Sequence, residues 1–146
     1  MRNLVFPMCL ALAACGPYPN DVTGTLDDIE RTRTIKVGFA DMRPADMATA
    51  TAFVARIERA TGGKAAIDQG PTETQLARLE NDQLDLVIGE FAQDTPWGID
   101  VTILEPLATR TVGTHEMGLS AVAANGENRW IGLLEREIRD HAGNKT

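Results

Sequence analysis

The side chains best suited to bind a ligand lie in three short segments, at residues 41–44, 69–72 and 90–98. Each segment follows a predicted strand. In an open α/β sheet, ligands bind beyond the carboxyl ends of the strands, and these segments converge there. The candidate ligand-binding residues are Asp41, Arg43, Thr72, Glu90, Phe91, Asp94 and Trp97. Together they define a predicted binding edge.

The charges of this edge allow two interpretations. Asp41, Glu90 and Asp94 on one rim would favour a cation. Arg43 would either pair with one of these carboxylates or meet a ligand carboxylate. In the alternative interpretation these are solvated loop charges, and Arg43 forms a surface ion pair that contributes under about 1 kcal/mol.

The aromatic, histidine and nucleophilic residues give little indication of a metal site or a catalytic site. Trp97 would either stack on a ligand or partner, or cap the core beside Phe91. His115-Glu116 and His141 lack the spacing of a metal site, and carboxylates alone suit only hard cations. The Gly-x-Ser-x-Gly, Walker and His-Glu-x-x-His motifs are absent. The sequence therefore predicts a protein that is not an enzyme and has no cofactor or metal site.

The amino terminus predicts export and lipidation. Arg2 precedes an apolar run at residues 4–14, which is shorter than the ~20 residues of a spanning helix. Residues 12–16, Leu-Ala-Ala-Cys-Gly, resemble a lipobox, at which bacteria diacylate the cysteine and cleave before it. The alternative is an ordinary signal peptide cleaved after Ala-Leu-Ala at 11–13. We expect Cys15 to anchor the protein to a membrane of the cell envelope.

Length and charge limit the remaining possibilities. The 146 residues have room for one domain, and the net charge of −7 disfavours binding to nucleic acid because an acidic surface repels phosphates. The predicted organisation is a signal peptide at 1–14, a tether at 15–24, one α/β domain at 25–142 and a frayed tail at 143–146.

Hydrophobic periodicity predicts strands that alternate with helices. Strands are expected at 34–39, 64–68, 84–89, 101–104 and 115–123. Helices are expected from Thr25, over 46–61, from Thr72 to about Asn81, and from Asn125 onward. Capping-box patterns at 25–28 and 72–75 mark two helix starts. Short links between alternating strands and helices imply a mostly parallel sheet flanked by helices.

The order of these elements resembles the first lobe of type 2 periplasmic solute-binding proteins, specifically family 3, the amino-acid-binding proteins of ABC importers. The matching stretches are 25–29 leading to 34–39, 83–90, and 118–123 followed by 126–130. The resemblance covers roughly residues 25–140. It implies an α/β lobe that binds a small solute outside the cytoplasm.

Three departures from that family are visible. The nine residues from Pro106 to His115 leave no room for a second lobe, so the chain is similar to half of a binding protein. Residues 94–98 are Asp-Thr-Pro-Trp-Gly, without the arginine that grips the ligand's α-carboxylate in the family. Residues 41–44 are Asp-Met-Arg-Pro, without the usual aromatics.

Two functions remain open. The domain is expected to be a substrate-binding or sensing component of a transport system. Alternatively, it is an accessory protein that docks on a membrane transporter or another envelope protein without binding a small ligand. Because a pocket normally buries most of its ligand, a single lobe would need a partner or a second copy to complete the site.

Overall fold

A computed structural model of the chain describes residues 21–92, 95, 98 and 100–143. Cys15, Asp94 and Trp97 lie outside the described residues. The strands are β1 (Thr34–Phe39), β2 (Lys64–Gln69), β3 (Leu86–Ala92), β4 (Val101–Ile103), β5 (Ala108–Val112) and β6 (His115–Ala124). The helices are α1 (Thr25–Thr32), α2 (Pro44–Thr61), α3 (Thr72–Glu80) and α4 (Asn128–Gly143). Within these described ranges, no helix is both long enough and apolar enough to cross a membrane.

The strands form one sheet in the order β2–β1–β3–β6–β4, and β5 also pairs with β6. β2, β1 and β3 are parallel, whereas β6 runs antiparallel to β3, β4 and β5. The predicted α/β fold with flanking helices is confirmed, but the sheet is mixed rather than mostly parallel. Parallel neighbours need a long crossover, and helices α2 and α3 supply one only between the first three strands.

Strand β5 has no counterpart among the predicted elements. It pairs residue for residue with the start of β6, across a turn that contains Gly113 at φ +61°. Its residues, Ala-Thr-Arg-Thr-Val, are all at least partly exposed. The segment therefore lacks the apolar alternation from which strands are predicted.

The helices cover the two faces of the sheet unequally. α1, α2 and α4 pack on one face, and α3 packs on the other. The apolar residues that recur at helical spacing in α2, α3 and α4 are all buried: Ala50, Phe53, Val54, Ile57, Leu76, Leu79, Trp130, Leu133, Leu134 and Ile138. Trp130 is fully buried, and its Nε1 donates a hydrogen bond to the backbone oxygen of Asp85 at 2.7 Å. The polar end of this large core side chain is thus satisfied.

The two predicted capping boxes do not form. The helices begin at Thr25 and Thr72, and neither has a side-chain cap from its own N-cap residue. Carboxylates from distant segments replace them. Glu127 accepts a hydrogen bond from the N–H of Thr25 at 2.9 Å, and Asp41 accepts one from the N–H of Thr72 at 3.0 Å. Tertiary contacts therefore satisfy N–H groups that a local motif was expected to satisfy.

A reciprocal pair of carboxylates, the Asp21–Glu127 clasp, joins the start of α1 to the start of α4. Asp21 accepts a hydrogen bond from the N–H of Arg129 at 2.6 Å. Glu127 accepts hydrogen bonds from the N–H groups of Thr23 at 2.6 Å and Thr25 at 2.9 Å. Burial would raise the pKa of Glu127, but the hydrogen bonds from Thr23 and Thr25 outweigh it and leave that pKa below its ordinary value.

Replacing Glu127 by Gln is expected to lower the free energy of unfolding by about 2 kcal/mol, because charge-assisted hydrogen bonds are lost and an amide N–H₂ then faces N–H donors. Urea unfolding at neutral pH measures this loss. The folded-state pKa of Glu127 is lowered. The ionised carboxylate therefore adds to the free energy of unfolding above the ordinary carboxyl pKa, and this stabilisation is lost as pH falls through the folded-state value. Acidification should therefore destabilise the variant less steeply.

The exposed Glu80→Gln is the matched control and should leave the unfolding midpoint unchanged. An unchanged midpoint for Glu127→Gln as well would contradict a stabilising role for the clasp.

Candidate functional site

A crevice opens where β1 and β2 end and where α2 and α3 begin. It has a volume of about 390 Å³. Its described lining is Phe39, Ala40, Asp41, Met42, Met47, Gln69, Gly70 and Pro71. The parallel register places Phe39 beside Gln69, so both strands deliver their following loops to the same edge of the sheet. We call this the carboxyl-edge crevice.

Asp41 connects the three predicted binding segments. Its Oδ2 accepts hydrogen bonds from both the N–H and the Oγ1 of Thr72, each at 3.0 Å. Its backbone oxygen accepts a hydrogen bond from the N–H of Glu90 at 3.2 Å. Its Oδ1 has no hydrogen-bond partner among the described residues, and the residue is exposed. The structure thus brings Asp41, Thr72 and Glu90 together, while their role in binding a ligand stays a prediction.

A chain of alternating charges continues along this edge. Arg43 donates from Nε and Nη2 to the carboxylate of Asp46, each at 2.9 Å, and its Nε lies 3.4 Å from Oε1 of Glu90. On the other side of Glu90, Arg110 of β5 donates from Nε at 2.6 Å and from Nη2 at 3.0 Å. This Asp46–Arg43–Glu90–Arg110 charge chain carries no net charge. Arg43 therefore pairs within the chain, which was one of its two predicted roles.

The charge chain holds Glu90 in its ionised form. The hydrogen bonds from Arg110 lower the pKa of Glu90, and the charges of Arg110 and Arg43 add to this effect against the opposing influence of burial. The same hydrogen bonds raise the pKa of Arg110. The Glu90 side chain is only 11% exposed. Glu90 therefore acts as an internal anion that organises the edge.

Sequence reasoning does not find Arg110. No motif surrounds it, and it lies 20 residues from Glu90 along the chain. The hairpin register is the signal that reveals it. Arg110 pairs with Met117, and Met117 pairs with Ala92, two residues beyond Glu90 on β3. Paired residues and residues two apart share a face, so Arg110 and Glu90 lie on the same face.

Phe91 is separated from the crevice. Because successive side chains of a strand point to opposite faces, Phe91 points away from Glu90. It is 5% exposed and belongs to the core cluster under α3, with Leu76 and Val101. There it lines a second cavity of about 440 Å³, which we call the α3-face cavity. Trp97 and Asp94 lie outside the described residues, so their predicted roles stay predictions.

Few charged side chains of the described edge therefore remain available to a ligand. Asp41 is the one ionisable residue in the described lining of the crevice. The side chain of Arg43 is 46% exposed but is shared between two carboxylates. In the part of the chain that the structure describes, no three His, Cys, Asp or Glu residues are grouped so as to hold a metal ion. The arrangement suits a small ligand with a positively charged group close to Asp41.

Solved structures with a similar architecture include amino-acid-binding domains. A point-substituted variant of domain 1 from TmArgBP (ArgBP of T. maritima), in its arginine-bound form, has a TM-score of 0.69 at 13% identity, with 81% of this chain and 98% of that chain covered. The ancestral cationic amino acid solute-binding protein AncCDT-1 has a TM-score of 0.69 at 10% identity, with 82% and 94% covered. The fold is that of domain 1 of periplasmic binding proteins.

A third similar structure is an amino acid ABC transporter substrate-binding protein from Streptococcus pneumoniae bound to L-arginine. Its TM-score is 0.68 at 9% identity, with 84% of this chain and 93% of that chain covered. At such identities the likeness shows the fold alone. An ancestral cyclohexadienyl dehydratase, with a TM-score of 0.68, also has this fold, so the fold does not decide between binding and catalysis. No family model and no curated protein matches the sequence.

Replacing Arg110 by Gln is expected to raise the pKa of Glu90 towards its ordinary value, because the neutral side chain removes the strongest contact that holds the carboxylate ionised. Carbon-detected NMR titration of the Glu90 carboxyl measures this shift. Because the folded-state pKa of Glu90 is lowered, its contribution to stability is lost as pH falls through that value, and the variant should lose less stability on acidification.

The control is Arg31→Gln, which breaks an exposed ion pair with Asp28 on α1. It should leave the pKa of Glu90 unchanged. If Arg110→Gln also left that pKa unchanged, the charge chain would not control the ionisation of Glu90.

Proposed function

We propose that the protein is a solute-binding module that takes an amino acid or a related amine in the carboxyl-edge crevice. The observation that carries this proposal is Oδ1 of Asp41, which has no hydrogen-bond partner among the described residues and lies in a crevice of about 390 Å³ at the carboxyl ends of β1 and β2. Open α/β sheets bind ligands at this edge. The volume lies within the ~300–1,000 Å³ that is usual for small-molecule sites.

In this proposal Asp41 binds the ligand's ammonium or guanidinium group. Thr72 already holds Oδ2 of Asp41 with two hydrogen bonds, so the carboxylate is oriented before the ligand arrives. Preorganisation of this kind reduces the entropy lost on binding. Phe39, Met42 and Met47 provide an apolar wall for the ligand's carbon skeleton, and methionine side chains adapt to different shapes.

A single domain is compatible with this proposal. The TmArgBP structures are of domain 1 in its arginine-bound form, and this chain has the same fold. The fold therefore does not by itself require a partner or a second copy to complete the binding site. A second copy or a partner that covers the crevice would add affinity by burying more of the ligand.

The proposal places the domain at a membrane. The lipid on Cys15 would hold it in the cell envelope, where it would present its solute to a transporter or receptor. The S. pneumoniae protein of the same fold is an ABC transporter substrate-binding protein, which supports a transport role. Confinement near the membrane raises effective concentration and compensates for weak contacts.

A second candidate function has one observation in its favour. The charge chain neutralises Arg43, Glu90 and Arg110 within the protein, so no unshared arginine of the described edge is left for a ligand's α-carboxylate. An accessory protein that docks on a transporter or another envelope protein would need no such arginine. This reading predicts no solute affinity at the crevice.

Asp41→Asn is expected to weaken binding of L-arginine by about tenfold or more, because a charge-assisted pair contributes about 1.5–3 kcal/mol. Isothermal titration calorimetry measures the affinity, after a screen of amino acids and amines selects the strongest ligand. Thr72→Val separates the two roles of Asp41. It removes one hydrogen bond to Oδ2 but keeps the charge, so it should lower stability and largely retain the affinity.

Glu80→Gln, an exposed site on α3, controls for the loss of one negative charge. A flat screen, or equal losses for Asp41→Asn and Glu80→Gln, would reject the solute site and favour the accessory function.

Cys15→Ser is expected to move the protein from the membrane fraction to the soluble fraction of the envelope, because the side chain that would carry the lipid is removed. Fractionation and immunoblotting measure this. Cys9→Ser, which alters a residue inside the predicted signal peptide, should leave the protein at the membrane. Membrane retention of Cys15→Ser would reject the anchor.

A further inference from the structure

Strand β2 lies at the end of the sheet order, so in the described part of the chain its outer side has no strand partner. We call this side of residues 64–69 the β2 edge. Five of the six residues are exposed and the sixth is partly exposed. Ile67 is 46% exposed, whereas isoleucine is usually buried. An open strand edge of this kind is a template for pairing with another strand.

The backbone groups that the β2 edge offers follow from the pairing of β2 with β1. The N–H groups of Lys64 and Gly70 donate to backbone oxygens on the β1 side. Because the direction of the N–H and C=O groups alternates along a strand, those of Ala65, Ile67 and Gln69 point away from β1. These three residues therefore present the groups that a further strand would bind.

One of these outward groups is already covered. Glu58 of α2 accepts a hydrogen bond at Oε1 from the N–H of Ala65, at 2.9 Å, and its Oε2 lies 3.6 Å from Nζ of Lys64. This contact agrees with an N–H of Ala65 that points away from β1. No side chain of the described residues bonds the N–H of Ile67. Glu58 therefore shields one position of the β2 edge and leaves Ile67 open.

The charges of β2 are complementary to those of the same strand in reverse. Lys64 and Asp68 lie four residues apart, so their side chains point to the same face of the sheet. If a second β2 ran antiparallel with Ala66 opposite Ala66, Lys64 of each copy would lie opposite Asp68 of the other. Opposite charges in such cross-strand pairs stabilise a sheet, and like charges destabilise it. Lysines that protect an edge repel one another when two copies meet, whereas this pair attracts.

Both charged side chains are accessible for this contact. The side chain of Lys64 is 85% exposed and that of Asp68 is 56% exposed. Asp68 also pairs with Arg78 of α3, but a carboxylate has acceptor sites for more than one cation. The intramolecular ion pair therefore orients Asp68 without excluding a lysine from a second copy.

The same register matches the backbone groups. It places Ile67 opposite Ala65 of the other copy, and both residues have outward N–H and C=O groups. The N–H of each Ile67 would donate to the C=O of the opposing Ala65, and the N–H of Ala65 would exchange Glu58 for the C=O of Ile67. On the other face, the exposed Ile67 side chain would pack beside Ala65. We infer that the β2 edge is a homodimer interface, at which two copies of the chain join their sheets in antiparallel pairing.

Charge reversal tests this interface by sedimentation equilibrium of the Cys15→Ser protein, which lacks the predicted anchor. The range extends to about 1 mM, the effective concentration that a short tether imposes. The parent protein should dimerise reversibly. Lys64→Asp and Asp68→Lys each create two like-charge pairs, so each should weaken the dimer about tenfold or more. An equimolar mixture of the two variants should restore association as a heterodimer, because each copy then meets the opposite charge.

Two further variants address the backbone contacts. Ile67→Pro removes an N–H that points away from β1, so the variant should keep its circular dichroism spectrum and lose the dimer. Glu58→Ala frees the N–H of Ala65 and should tighten the dimer about tenfold. Asp140→Lys, a charge reversal at an exposed position of α4, is the control and should leave the dimer unchanged.

Three results would each overturn the inference. The first is a monomer at every concentration for both the parent protein and Glu58→Ala. The second is a mixture of Lys64→Asp and Asp68→Lys that associates no more than its separate components. The third is an unchanged dimer in Ile67→Pro, which would place the interface elsewhere on the molecule.

Discussion

The carboxylate of Glu90 joins the two halves of the sheet, and the geometry of the candidate site depends on it. Glu90 lies on β3, which among the described strands alone pairs with a parallel neighbour on one side and an antiparallel neighbour on the other. Arg43 approaches from the loop after parallel β1, and Arg110 approaches from the antiparallel hairpin. A mostly buried carboxylate with either arginine removed would be left poorly compensated. This contact therefore fixes the start of α2, the hairpin and the rim of the crevice together.

That arrangement separates charges that build the edge from charges that remain for a ligand. Four groups of the charge chain satisfy one another. Asp41 is held through one oxygen, and its other oxygen has no partner in the part of the chain that the structure describes. The same device recurs at the opposite end of the sheet, where Asp21 and Glu127 hold the starts of two helices. In each case a carboxylate from a distant segment binds backbone N–H groups. The domain thus uses its acidic residues as internal connectors as well as surface charges.

Much of the fold follows from the sequence, because buried helix faces and strands leave periodic apolar patterns. Phe53 and Ile57, or Trp130 and Leu134, recur at helical spacing and are buried. The mixed sheet, β5 and Arg110 do not follow, since a half-exposed strand has no apolar alternation and an ion pair 20 residues apart leaves no local trace. The predicted capping boxes are wrong because a local pattern does not reveal which distant residues bind the helix start. Local patterns at Thr25 and Thr72 are present, but long-range carboxylates satisfy those helix starts.

The position of a bound amino acid tests the central proposal most directly. A crystal structure of the protein with L-arginine, or with the strongest ligand of the screen, would locate it. The account predicts density in the carboxyl-edge crevice, with a ligand nitrogen within hydrogen-bonding distance of Oδ1 of Asp41 and with the Glu90–Arg110 contact intact. Density that displaced Arg110 from Glu90, or that lay away from β1 and β2, would contradict it.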